Sequence, residues 1–288
     1  MANGILIIDK PAGWTSMDVC AKVRGILREK RVGHGGTLDP MATGVLPVFV
    51  GRATRAVEFA ENGRKEYDAG LRLGLVTDTQ DVTGTVLETR PGAVGRAELE
   101  EALAAFRGEI QQIPPMYSAV KVQGKKLYEL ARKGQEVERK PRAVTIYELE
   151  LLEAESETDY RLRCLCSKGT YIRTLCHDIG QALGCGGALY RLRRTMAAGF
   201  TLAEAVTLEE VQEKGESLLR PLDSLFAGYP ALTVRSPGQE KRVRCGNPIS
   251  LPGTADGTYR IYGQDGEFLC LSQGAGGTLT SIKNFFGA

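Results

Sequence analysis

At 288 residues, with 42% hydrophobic and 25% charged residues, the chain has the make-up of an ordinary globular protein. It is long enough to bury a sizeable core, as one large domain or as a large and a small one. The formal net charge of +2 is unremarkable, so the local distribution of charge carries more information than the total. No apolar run reaches the length of a membrane span, and the first residues lack the cationic and hydrophobic regions of a secretory signal. Seven cysteines without such a signal point to free thiols and a cytoplasmic location. There is no Rossmann or phosphate-loop fingerprint, and no internal repeat.

In chain order, Gly4-Ile5-Leu6-Ile7-Ile8-Asp9 is a short apolar run that reads as a buried strand, ending in the turn Lys10-Pro11-Ala12-Gly13. Ser16 offers an N-cap for a helix in which Val19, Cys20, Val23, Ile26 and Leu27 recur at helical spacing. Then comes Gly33-His34-Gly35-Gly36-Thr37-Leu38-Asp39-Pro40-Met41-Ala42-Thr43-Gly44-Val45-Leu46-Pro47, too rich in glycine and proline for a regular element. Pro40 biases Asp39 towards an extended backbone. The stretch suits a plain turn, or a loop that presents the Asp39 carboxylate to a ligand.

A strand over 46–50 and a helix over 53–62, stopped by Gly63, follow. Residues 65–74 read as a strand carrying Tyr67, and 77–84 as a polar turn. A tyrosine in a strand is ordinarily a packing residue. Residues 96–107 form an amphipathic helix with Leu99, Ala102, Leu103 and Phe106 on one side and Gly108 as its C-cap. From 121 to 142 eight Lys/Arg face three Asp/Glu, a local net of +5, and glycines at 124 and 134 interrupt the run. This is a solvated face, or a mobile arm that grips phosphates through Lys125, Lys126, Arg132 and Lys133.

Two strands are expected over 144–166, with Cys164 and Cys166 on one face. Together with Cys176, His177 and Cys185 they are of metal-ligand type. Paired zinc cysteines are spaced by two or more residues, so buried thiols and no metal are expected. Tyr171, Ile172 and Arg173 lead into a helix ended by Gly184. A cation such as Arg173 at a helix start opposes the dipole, and an anionic partner would relieve the conflict. Leu189-Tyr190-Arg191-Leu192-Arg193-Arg194 follows as a strand. Beyond Gly228-Tyr229-Pro230 come a helix near 239–245 and strands at 259–262, 267–271 and 278–283, as in a small β-barrel.

The Gly33–Pro47 loop, the 65–74 strand with its tyrosine and the 167–175 segment are far apart, and each resembles a signature of the tRNA pseudouridine-55 synthases, the TruB family. The resemblance is strong to about Arg194 and looser to the end of the chain. It implies an α+β fold, a mixed, largely antiparallel sheet flanked by helices. The catalytic domain would cover 1–228, with a tRNA-gripping insertion at about 112–142. A PUA-like RNA-binding domain, small and β-barrel-like, would cover 229–288. It implies that Asp39 is the nucleophile, that Arg173 pairs with it, and that Tyr67 packs on the target uracil. Tyr171 and Leu192 would line the uracil pocket, Lys10 would lie beside it, and His34 would stack on the flipped nucleotide or fill its place. The partner would be the tRNA T stem-loop, met by a monomer without cofactor, membrane or obligate protein partner. One departure is Gly35, where the family usually has threonine.

Such an isomerisation breaks the bond from N1 of uracil to C1′ and rejoins the base through C5, with no redox change and no donated group. Two other readings use the same fold. One is a non-catalytic RNA-binding or tRNA-folding protein. The other is the RNA-guided relative of these synthases, which the basic arm and the lack of a long basic tail disfavour.

Overall fold

The computed structural model describes residues 2–122 and 124–287. A nine-stranded sheet organises them. Its main path runs Gly4–Lys10, Thr43–Val50, Gly187–Ala197, Lys65–Leu73, Asp159–Cys166, Arg142–Ala154 and Gly108–Gln112, with Val32–His34 and Phe200–Thr201 attached to it. Neighbours pair antiparallel except Thr43–Val50 with Gly187–Ala197, which touch in parallel through Arg193–Thr43 and Arg194–Gly44. The expected α+β architecture, a largely antiparallel sheet with helices, is therefore present.

The burial of each strand follows its pattern. In Asp159–Cys166 alternate residues turn inward, so Tyr160, Leu162, Cys164 and Cys166 join the main core. Arg161 and Arg163 turn outward and meet Asp68 and Glu66, each at 2.7 Å. Gly4–Lys10 does not alternate because it is covered on both faces. Leu6 and Ile8 belong to the main core, whereas Ile5 and Ile7 belong to a second one under the C-terminal part of the chain.

Three sequence expectations are corrected. The cap of the first helix, Ser16–Leu27, is Thr15 rather than Ser16. Thr15 and Asp18 form a reciprocal capping box, the pattern that Thr15-x-x-Asp18 spells, while Ser16 is buried. The helix expected over 53–62 begins as a 3₁₀ segment, Gly51–Ala56, and becomes α-helical only at Val57–Asn62. Gly108 does not cap the preceding helix, which stops at Ala104 with Ala105 as its cap; it starts the next strand.

A second sheet of five strands, in the order Ala231–Thr233, Gly257–Tyr262, Phe268–Ala275, Thr278–Asn284 and Ile249–Ser250, carries its own core with the helix Pro237–Arg244. Four phenylalanines join it to the rest. Phe226 lies 5.2 Å from Phe59 and 5.5 Å from Phe285, ring centre to ring centre, and Phe268 stacks on Phe285 at 5.4 Å. Phe226 is buried at the centre of this group. Phe226→Ala is expected to lower the unfolding free energy by about 3–5 kcal/mol. Chemical denaturation checks it, and a loss below about 1 kcal/mol would mean that the aromatic joint is not what holds the second sheet.

Candidate active site

Val32–His34 pairs with the end of Thr43–Val50, so residues 35–42 form the connection between two strands. The Ala42 amide donates to the Asp39 carbonyl at 3.0 Å and closes the turn. Three parts of the chain then fix its backbone. From the turn after the first strand, the Gly13 amide donates to the Pro40 carbonyl at 2.8 Å, and Lys10 Nζ donates to the carbonyls of Trp14 (2.6 Å), Pro11 (2.9 Å) and Pro40 (3.3 Å). From the first helix, Ser16 Oγ accepts from the Leu38 amide at 2.9 Å. From the strand Gly187–Ala197, the Arg194 guanidinium donates to the carbonyls of Val45 (2.7 Å), Gly36 (3.1 Å) and Thr37 (3.5 Å).

Arg194 is completely buried, and the strand that carries it crosses the loop at Gly44. Gly44 has φ +100°, and a Cβ there would lie 2.2 Å from the Arg194 carbonyl oxygen, so only glycine permits the crossing. Gly35 is equally constrained. A Cβ would fall 2.6 Å from the Ala60 methyl and 3.1 Å from the Phe49 ring. The family's threonine has no room here unless those two side chains shift.

Within this fixed backbone the Asp39 carboxylate remains 37% exposed, and its Oδ2 lies 2.9 Å from Arg173 Nε. Arg173 itself is 5% exposed, on the second residue of the helix Ile172–Ala182. Its remaining donors go to the carbonyls of Thr79 (3.1 Å) and Tyr117 (2.8 Å). Asp81 Oδ2 lies 3.8 Å from Nε on a second side. Two carboxylates therefore offset one buried cation at an unfavourable end of a helix dipole.

Sequence reasoning did not single out Asp81. It is buried, and it accepts from the Thr83 amide and Thr79 Oγ1, each at 2.9 Å. Nothing in the run Asp78-Thr79-Gln80-Asp81 distinguishes the inward acid from Asp78, which accepts from the Thr85 amide. Arg194 was likewise read only as part of a basic strand. The signal was its spacing, two residues from the inward-facing Leu192.

The other expected residues fall into three groups. Tyr67, Tyr171, Leu192 and His34 approach the loop. Tyr67 lies opposite Arg194 across the strand pairing and is nearly buried, which pushes its hydroxyl up to about 12. Leu192 is buried two pairs further along, opposite Ala69. Tyr171 caps the helix of Arg173, and its backbone exchanges two hydrogen bonds with the buried Gln112 amide. Burial, then the Arg194 charge, lowers the pKa of His34, which keeps the imidazole neutral. Lys10, expected beside the substrate, is completely buried. Burial brings its ammonium down to about 8, and with three carbonyl acceptors it holds the loop rather than facing a ligand.

Lys125, Lys126, Arg132 and Lys133 lie apart, on an arm built from the hairpin Lys121–Val122 and Lys125–Lys126 and the helix Leu127–Ala131. The arm has a small core of its own, Met116, Leu127 and Leu130. Among the described residues these four cations form no ion pair, and Lys126 and Arg132 flank the Tyr128 ring. Cys164, Cys166, Cys176 and Cys185 are buried free thiols.

The same architecture appears in solved structures. The chain superposes on a protein of a Cbf5–Nop10–Gar1 complex with a TM-score of 0.75 and 26% identity, over 99% of this chain and 85% of that one. A second match, in an H/ACA RNP bound to a substrate RNA containing 2′-deoxyuridine, has a TM-score of 0.73 and 26% identity, over 99% and 86%. Residues 24–172 match the profile of the TruB family pseudouridylate synthase N-terminal domain, and 173–227 that of the tRNA pseudouridylate synthase B C-terminal domain. The fold and the sequence thus define a pseudouridylate synthase. Among curated proteins, the tRNA pseudouridine synthase B of Syntrophomonas wolfei is 47% identical over 94% of this chain and 93% of its own. That of Clostridium kluyveri is 42% identical over 98% and 99%. The chain belongs to the TruB family.

Removing the Lys10 ammonium should loosen the loop without touching a ligand. Lys10→Met is therefore expected to slow pseudouridine formation by about 100-fold, the scale of a misplaced reacting group, with RNA affinity unchanged within a few-fold. Single-turnover rates and filter binding check this. A fall in affinity equal to the fall in rate would return Lys10 to the substrate.

Proposed function

We propose that this protein converts a uridine of the tRNA T loop, position 55, to pseudouridine, with Asp39 as nucleophile on a flipped-out nucleotide. The observation that carries the reading is the Asp39–Arg173 pair. A half-open carboxylate on a rigid backbone lies 2.9 Å from a buried guanidinium supplied by a distant segment. The family membership supports it, as does the name tRNA pseudouridine synthase B borne by relatives 42–48% identical.

The chemistry follows from the groups in place. The Arg173 guanidinium, 2.9 Å away, holds the Asp39 carboxylate in place for attack. The carboxylate forms a transient bond to the nucleotide while the N1–C1′ bond breaks. The base turns, C5 bonds to C1′, the C5 proton leaves and N1 takes up a proton. A uracil inside a folded loop has to be extruded to meet Asp39, and aromatic faces hold it. Tyr67 and Tyr171 supply those faces, Leu192 an apolar wall, and His34 a neutral ring for the space the base vacates. Tyr67 also assists removal of the C5 proton. Because its hydroxyl is uncharged at neutral pH, it acts as a relay, passing its own proton to water as it takes up the C5 proton.

The arm cations Lys125, Lys126, Arg132 and Lys133 serve phosphates rather than bases, which makes their contribution sequence-independent and salt-sensitive. The 1–228 part carries the reaction, and 229–288 adds RNA contacts in the manner of a PUA-like module. The protein works as a cytoplasmic monomer without cofactor or protein partner. Its Cbf5 likeness stands at 26% identity, well below the tRNA-named relatives, so the guided alternative is disfavoured.

Asp39→Asn preserves shape and removes the charge. Tritium release from tRNA labelled at uridine C5 is expected to vanish while binding survives. Multiple turnover by this variant, free of deamidation, would overturn the nucleophile. Tyr67→Phe keeps the ring and loses the hydroxyl. It is expected to slow the reaction about 10²–10⁴-fold with tRNA still bound, and Tyr67→Leu to lose packing as well. A single-turnover rate near wild type for Tyr67→Phe would leave Tyr67 only a stacking face.

A further inference from the structure

The turn 11–17 is bonded to the Asp39 loop at several points: Gly13 to Pro40, Ser16 to Leu38, and Lys10 to both Trp14 and Pro40. The Trp14 and Pro40 carbonyls thus share one ammonium, which places residue 14 beside the residue that follows the nucleophile. On this rim two large apolar side chains face solvent: Trp14, 36% exposed, and Met17, 56% exposed. We propose that Trp14, with Met17 three residues on, forms a stacking surface for a nucleobase of bound tRNA adjacent to the target uridine. The proposal rests on the tRNA reading above.

A local structural use for the covered part of Trp14 is available, and it leaves the open part free for a ligand. The residue sits just before the Thr15 cap, where an apolar side chain often packs onto the residue four positions into the helix, here Val19. Val19 is completely buried in the main core, while Trp14 keeps 36% of its surface open. No Arg or Lys lies over the indole among the described residues. Asp18, the acid next in the helix, is consumed by the capping box with Thr15. The indole is about one-third open to solvent, on a turn hydrogen-bonded to the Asp39 loop. Nucleobases are the part of an RNA that stacks on an aromatic face, whatever their identity.

Trp14 is the single tryptophan of the chain, so its emission reports on this site alone. Unmodified tRNA is titrated into the full-length protein while tryptophan emission and its quenching by acrylamide are followed, with filter retention measuring binding in parallel. The emission is expected to change along the binding curve, and the indole to become less accessible to acrylamide. Trp14→Leu is expected to lower kcat/KM by about 5- to 100-fold, with Trp14→Phe recovering most of the loss. Saturated tRNA binding with unchanged emission and unchanged quenching would overturn this proposal and leave the tRNA reading intact. Failure of tRNA to bind at all would overturn both.

Discussion

The buried guanidinium of Arg173 is the constraint to which the site answers. A cation at 5% exposure, two residues into a helix, is tolerated only if its charge and its donors are all engaged. The partners come from separate segments: Asp39, Asp81, and the carbonyls of Thr79 and Tyr117. Each must be in place before the arginine is satisfied, so one side chain brings the Asp39 loop, the 77–84 turn and the root of the arm into register. Asp39 is the exposed member of the set, which leaves it fixed in position yet reachable.

Much of this was legible in the chain. Glycine and proline density marked the loop, the unbroken apolar run marked a strand covered on both faces, and the cation at a helix start asked for an anion. The hidden parts are buried charges that look like surface ones. Arg194 is one of three arginines in four residues, and only its spacing from Leu192 separates it from the outward-facing Arg191 and Arg193. Lys10 closes an apolar strand as solubilising lysines often do, yet its ammonium is turned into the loop. Asp81 differs from Asp78 by nothing that composition records. Arg194 and Lys10 are held by backbone carbonyls, and Asp81 faces the distant Arg173, none of which a local pattern encodes. The Thr15 cap was readable and was overlooked, since only Thr15 has an acid three residues on.

The Tyr117 carbonyl belongs to the segment that leads into the arm, and its hydrogen bond to Arg173 joins the arm to the partner of Asp39. Any ligand that favours one placement of that carbonyl also favours one arrangement of Arg173, and with it the pairing of Asp39. The influence is reciprocal, because a free energy of coupling between two sites acts equally in both directions. Arm contacts can in this way contribute to readiness for chemistry as well as to affinity.

The strand Gly4–Lys10 has a consequence for the order in which the chain can mature. Its amides and carbonyls are matched not only by Thr43–Val50 but by residues near the end of the synthase region. Ile5 and Arg220 exchange backbone hydrogen bonds, and Val206 bonds to both Ile7 and Asp9. During synthesis this strand thus waits for some two hundred residues before its second edge is closed, and until then Ile5 and Ile7 lack the cover of Phe200 and Phe226. Contacts so distant in sequence slow folding and leave an apolar edge open in the meantime. Until then the nascent chain can misassociate through this strand, whose following turn later fixes the Asp39 loop.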